Sequence, residues 1–141
     1  MKKIASFDNY VSLVDMCHSS VNKHSDKVAF TSLDIQMTYQ QVHEYALEMA
    51  SFLQHEAGVE KGDRVAVMLP NVLQFPICVL AGLTIGATLV CINPLYTARE
   101  VTHVLNDAEP KAVIVLENFM GVFDEMPIEA LPATMIIAKI P

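Results

Sequence analysis

Asn93-Pro94-Leu95-Tyr96-Thr97 is the densest set of side chains able to meet a ligand, with an amide, a phenol and a hydroxyl close together. Thr97 stands just before a helical pattern, where the positive end of a helix dipole favours an anion. A turn ending in an N-cap accounts for the same residues, and it is the heavier of the two readings. Asp63-Arg64 is a second pair. It can be read as a functional ion pair, but a polar turn feeding a strand explains it better.

Other chemistries lack their residue patterns. A nucleotide loop needs clustered glycines so that backbone N–H groups can approach phosphates. Gly58, Gly62, Gly82, Gly86 and Gly121 never cluster that way, and neither GxxxxGK nor GxGxxG occurs. The histidines are His18, His24, His43, His55 and His103; no pair has the i, i+4 spacing with a carboxylate that a zinc peptidase uses. His43 is predicted at the solvent edge of its helix. His103 falls between the apolar positions Val101 and Val104. Cys17 and His18 are neighbours in sequence, which does not make them nucleophile and base. No GxSxG is present. No catalytic residue and no metal ligand is therefore assigned.

The bulk numbers narrow the partners. The chain has 141 residues and a formal net charge of −7, which argues against nucleic acid because phosphate neutralisation needs clustered Lys and Arg. It is 52% hydrophobic and only 18% charged. It either buries a great deal or carries apolar surface that expects a partner. That partner is another copy of the chain or the rest of a longer enzyme, with peripheral membrane contact kept as a further option. Cys17, Cys78 and Cys91 are odd in number, widely spaced and free of CxxC, against a disulfide framework or a zinc site. Cys78 and Cys91 lie in apolar runs and are expected as small core residues. A reducing cytoplasm fits best. Met1 to Asp8 lack the apolar core of a secretory signal.

Val65 to Ala98 contain no charged residue, and Phe75 to Ile92 are long enough to raise a membrane-spanning reading. Gly82 and Gly86 interrupt the run, and β-formers cluster only after Gly86. A buried helix followed by a buried strand is the better account. The Gly82–Gly86 spacing then lets the helix lie close to a sheet.

The remaining elements follow from periodicity and caps. Asn9 to Val21 reads as a helix with Val11 and Val14 inward. Lys27–Ser32 and Ile35–Thr38 read as short strands joined by a tight Leu33-Asp34 turn that lacks the usual Gly. Thr38 and Gln41 form a capping-box pattern ahead of Tyr39, Val42, Tyr45, Ala46, Met49, Phe52 and Leu53 at helical spacing. Gly58 stands past that helix, where a left-handed residue is favoured. Arg64–Leu69 reads as a strand, Asn71 as the cap of a helix to about Ile85, and Ala87–Ile92 as a second strand. Thr97 and Glu100 form another capping box, opening a helix with Val101, Val104, Leu105 and Ala108 on one face that Glu109-Pro110 stops. Ala112–Leu116, a short helix from Asn118 to Glu125 and a strand Thr134–Ile140 complete the pattern. Apolar strands between helices predict an α/β fold, a mostly parallel sheet with helices on both faces. The chain stops at Pro141 just after a strand pattern, so an uncovered edge strand and apolar face are expected there.

Several segments jointly resemble the long-chain acyl-CoA synthetases, the fatty-acid–CoA ligases of the adenylate-forming, AMP-binding superfamily. They are Met37-Thr38-Tyr39, Lys61 through Asn71 with its Gly-Asp-Arg-Val start, Ala81-Gly82-Leu83 through Gly86-Ala87, Ile92-Asn93-Pro94-Leu95-Tyr96-Thr97-Ala98-Arg99-Glu100, Leu105-Asn106-Asp107-Ala108, and Ala112 to Phe119. The resemblance covers roughly residues 8 to 125, in order and with natural spacing. It implies one domain over 1–141, the N-terminal part of the large AMP-binding domain. Within it, 1–38 would supply a helix and short strands and 39–141 the βαβ units. For the full-length family it implies ATP, Mg²⁺, a fatty acid and CoA, with an acyl-adenylate formed, pyrophosphate released and the acyl group passed to CoA. The family's phosphate loop, adenine and ribose motifs and catalytic lysine lie downstream of the matched segment. No cofactor is expected to be bound by this chain, which is expected to be inactive alone. Asn93, Tyr96 and Thr97 would lie on the side where CoA approaches. The residues after Glu125 depart from the family pattern and read as a divergent or frameshifted end.

Overall fold

The computed structural model describes residues 9–140, so the reading of Met1 to Asp8 lies outside the described residues. The chain runs α1 (Leu13–His24), β1 (Val28–Ser32), β2 (Ile35–Thr38), α2 (Tyr39–His55), β3 (Arg64–Met68), α3 (Gln74–Thr84), β4 (Thr88–Cys91), α4 (Ala98–Ala108), β5 (Ala112–Leu116), α5 (Gly121–Asp124) and β6 (Thr134–Ala138). β1 and β2 pair as an antiparallel hairpin, and the other four strands form a sheet in the order β4-β3-β5-β6. Every pairing in that sheet is parallel.

The alternation of side chains along β3 divides the core between two faces. Val65 and Val67 join Ala50, Leu53, Cys78 and Ala81 from α2 and α3 on one face. Ala66 and Met68 join Val101, Leu105 and Phe123 from α4 and α5 on the other. β5 repeats the division, with Ile114 on the first face and Val113 and Val115 on the second. Both strands are therefore sealed from water, and all ten of their side chains except Arg64 are buried. Helices cover both faces, as the unbroken apolar strands require.

Three local features hold the helices in place. The two capping boxes are present: Thr38 with Gln41 opens α2, and Thr97 with Glu100 opens α4. Gly58 has φ +63°, the left-handed conformation expected past α2. Gly82 brings α3 against β4, for a Cβ built there would stand 2.5 Å from Leu89 Cδ2. α3 is eleven residues long and ends before β4 begins. No helix among the described residues is long and apolar enough to cross a membrane.

Several sequence expectations are corrected. The first helix begins after Ser12, not at Asn9: the Ser12 hydroxyl accepts Asp15 N–H at 3.1 Å, and the Asp15 carboxylate accepts Val11 N–H at 3.1 Å. This reciprocal cap leaves Val11 96% exposed rather than inward. Asn71 does not cap α3. A turn in which Val72 N–H donates to Pro70 C=O delays the helix to Gln74, without a side-chain cap. Pro76 then sits in the first turn, where its missing N–H costs nothing. Asn118 lies inside a single 3-10 turn, Glu117–Phe119, rather than capping a helix. Cys91 is exposed, whereas Cys78 is buried, because β4 is an edge strand with only β3 beside it. The hairpin turn is left-handed at both Leu33 (φ 50°) and Asp34 (φ 64°), without a glycine at either position.

Candidate functional site

Open parallel sheets present ligands at the carboxyl ends of their strands, where successive connections leave toward opposite faces. Here β3 leads to α3 on one face and β4 leads to α4 on the other. The loop from Ile92 to Thr97 emerges at that switch.

Its geometry is self-contained. Asn93 Oδ1 accepts Leu95 N–H at 3.0 Å, and Asn93 C=O accepts Tyr96 N–H at 3.0 Å. Glu100 reaches back to the start of α4, where one carboxylate oxygen accepts both the N–H and the hydroxyl of Thr97, each at 2.8 Å. These bonds hold the Glu100 carboxyl below the usual carboxylate range. The turn leaves Leu95 82% and Tyr96 38% exposed. A depression of about 520 Å³ beside the loop is lined by Thr97, Ala98, Arg99, Thr102, Glu125 and Pro127. The structure thus places Asn93, Tyr96 and Thr97 together at the carboxyl end of β4. The Asn93 carbonyl oxygen and the Thr97 hydroxyl already serve the loop's own backbone and cap. The Asn93 amide N–H groups, the phenol and the Arg99 guanidinium are the groups left to face a ligand.

The chemistry of a nucleotide phosphate does not fit these residues. Gly58, Gly62 and Gly86 have positive φ, but they precede β3 and β4 and so lie at the amino ends of the strands. Gly82 is packed inside α3. Gly121 alone follows a strand, and a Cβ there would meet nothing within 4 Å. Among the described residues no three His, Cys, Asp or Glu side chains gather as a metal site.

Asp63 and Arg64 act separately. Asp63 Oδ2 accepts Glu60 N–H at 2.9 Å in the turn before β3. Arg64 donates from Nε to Ala108 C=O at 2.7 Å and from its terminal nitrogen to Glu109 C=O at 3.1 Å. It therefore satisfies carbonyls at the C-terminus of α4, where Glu109 is left-handed at φ 45°. A cation there is also favoured by the helix dipole.

Two arrangements escape sequence reasoning. The rings of His18 on α1 and His43 on α2 meet edge-on with centroids 5.0 Å apart. Burial and the His18 charge lower the His43 pKa, and Glu44 opposes that shift. An apolar groove of about 620 Å³ also opens between α1, the hairpin and α3. The available signal for the groove was α3 itself, which carries no charge on any side.

Comparison with known proteins gives one consistent family. A family model described as AMP-binding enzyme matches residues 17–139. The match overturns the expected departure after Glu125, and β6 pairs in register with β5 through that stretch. The chain is 40% identical over 119 residues to a long-chain-fatty-acid–CoA ligase of Escherichia coli O6:H1, covering 84% of this chain and 21% of that protein. It is 34% identical over 132 residues to the corresponding ligase of Yersinia pestis, covering 94% and 24%. Among solved structures, a Mycobacterium tuberculosis fatty acyl CoA synthetase superposes with a TM-score of 0.80 at 31% identity, covering 87% of this chain and 26% of that one. A luciferase-like enzyme from the mealworm Zophobas morio shares the fold, with a TM-score of 0.86 at 22% identity over 99% of this chain and 33% of its own. The chain spans about a fifth to a quarter of the length of the curated relatives it matches.

Proposed function

Since this chain belongs to the AMP-binding enzyme family, we propose that it is the N-terminal part of the large domain of a long-chain fatty-acid–CoA ligase and is inactive alone. In this reading residues 1–141 form one domain that supplies scaffold. The full-length enzyme would use ATP, with AMP formed, and would take a fatty acid and CoA as substrates. The family match over 17–139 carries the reading. The glycine placement supports inactivity, because among the described residues no backbone cradle for phosphates stands at the carboxyl ends of the strands.

The Asn93–Thr97 loop is the CoA-side contribution of this segment. Its bonds fix the turn and present the Asn93 amide, the Tyr96 phenol and Arg99 beside a shallow depression. Thr97 acts by positioning, since its hydroxyl is committed to Glu100. A reducing cytoplasm belongs to the same reading, given three free thiols.

ATP–pyrophosphate exchange tests the proposal. The isolated chain with a long-chain fatty acid should give no exchange above background, and robust exchange would sink it. A second reading is favoured by the two sheet edges: β4 and β6 each have one partner strand among the described residues. On that reading the chain is a non-catalytic module that self-associates or binds a full-length synthetase. Light scattering on a gel-filtration peak decides it, because a dispersed monomer that captures no synthetase counts against the module.

A further inference from the structure

We infer that the groove between α1, the hairpin and α3 is the docking seat for an uncharged, apolar segment of the ligase polypeptide that this chain does not span. The inference rests on the reading proposed above and assigns it a surface.

α3 supplies the first observation. Cys78 and Ala81 point into the sheet-side core. Val79 and Leu83 line the groove, and Phe75, one turn before Val79, both lines it and packs against the edge of that core. A helix apolar on all sides is normally covered on all sides. Met16 and Val21 from α1 and Phe30 from β1 continue the apolar wall, and Phe30 is 44% exposed.

The position of β6 supplies the second observation. Gln74 Nε2 donates to Lys139 C=O at 2.8 Å, so the end of β6 lies beside the first turn of α3. Phe75 and Pro76 of that turn line the groove. A polypeptide joined or docked along that edge reaches the groove without crossing the sheet. The relatives have such polypeptide to place, since the matched region is 21% of the Escherichia coli ligase and 24% of the Yersinia pestis one.

The lining also selects the occupant. It contains Ser20, Thr31, Ser32 and Asn71 but no Lys, Arg, Asp or Glu. Nothing there would hold the carboxylate of a free fatty acid, whereas backbone amides of a peptide can use the hydroxyls and the Asn71 amide.

Cys17 lies in the groove wall and reports its occupancy, while exposed Cys91 on β4 serves as the reference thiol. Overlapping peptides covering the Escherichia coli O6:H1 ligase outside the matched 119 residues are added to the full chain, and maleimide labelling is followed by mass spectrometry. At least one uncharged apolar peptide should slow Cys17 labelling by about tenfold and leave Cys91 unchanged, an effect lost in Val79→Asp. If Val79→Asp unfolds the chain, Ser20→Phe, which narrows the groove from the α1 side, replaces it. Overturning results are that no peptide protects Cys17, that dodecanoate protects it as well as any peptide, or that raising the chain's own concentration does. The exchange assay reads independently: exchange together with peptide protection overturns the inactivity and leaves the groove assignment standing, whereas no exchange and no protection overturns the groove assignment alone.

Discussion

Arg64 offers the sharpest test of how this segment is held together. Its guanidinium donates one part-buried bond to Ala108 C=O and one exposed bond to Glu109 C=O. A hydrogen bond from a charged donor contributes roughly 1.5–3 kcal/mol, and the low end applies where water can replace the donor. Solvent screening reduces the exposed bond to roughly 0.5–1 kcal/mol. Arg64→Ala should therefore cost about 2–3 kcal/mol, or a fall of roughly 6–12 °C in Tm for a chain of this size. Arg64→Lys should recover less than half, because one ammonium cannot span two carbonyls as the planar fork does. Urea unfolding followed by circular dichroism measures the loss, and amide exchange at Leu105 to Glu109 should quicken with it. The Asp63 carboxylate accepts Glu60 N–H and shares no partner with the Arg64 guanidinium, so Asp63→Ala and Arg64→Ala should add within about 0.5 kcal/mol. A coupling above about 1 kcal/mol, or an Arg64→Ala loss below about 0.5 kcal/mol, would refute the assignment of Arg64 to the end of α4.

Gly82→Val should destabilise by about 1–3 kcal/mol, because the added carbons overlap Leu89. Leu89→Ala in the same chain should restore part of that loss, and thermal melts of the four-member cycle give the sign. His43 prefers its neutral form when folded. Its contribution is complete above its unfolded value of about 6.5 and is lost as pH falls through the lower folded value. His43→Gln should flatten the pH dependence of stability below about pH 6.5, and a chain equally acid-sensitive without His43 would contradict the lowering of its pKa by burial and by the His18 charge. Burial pushes the Cys78 thiol up to about 12. At pH 8 Cys91 should label promptly and Cys78 only at the global unfolding rate, as stopped labelling with and without denaturant will show.

Signals confined to a few residues were legible before any coordinates. Both capping boxes involve groups three residues apart, and the left-handed site at Gly58 and the stop at Glu109-Pro110 are equally local. The parallel sheet was legible too, because β3 and β5 are apolar without alternation. Two of the misplaced helix starts share one cause. At Asn9 and Asn71 a neighbouring bond took the chain elsewhere. Ser12 with Asp15 out-competed Asn9, and the turn closed by Val72 displaced Asn71. Cys91 is exposed against expectation because burial of a strand depends on its place in the sheet, and strand order is not written in the strand. The His18–His43 contact and the apolar groove join elements distant in sequence, so neither had a local signature. The Asn93–Thr97 loop was legible as a site by type and position. That its hydroxyl and amide oxygen are used internally emerged only from the bonding.

The strand order also sets a timetable for synthesis. β3 can pair with β4 as soon as the intervening helix is made, but its other edge waits for β5, roughly 45 residues later along the chain. At the usual rate of about 5–20 residues per second, that edge stays unpaired for roughly 2–9 seconds as the chain emerges. During that interval Val65 to Met68, apolar on both faces, offer an unpaired backbone edge that any other nascent strand could join. A strand buried on both faces of the finished sheet is thus a vulnerable one while the sheet is being made.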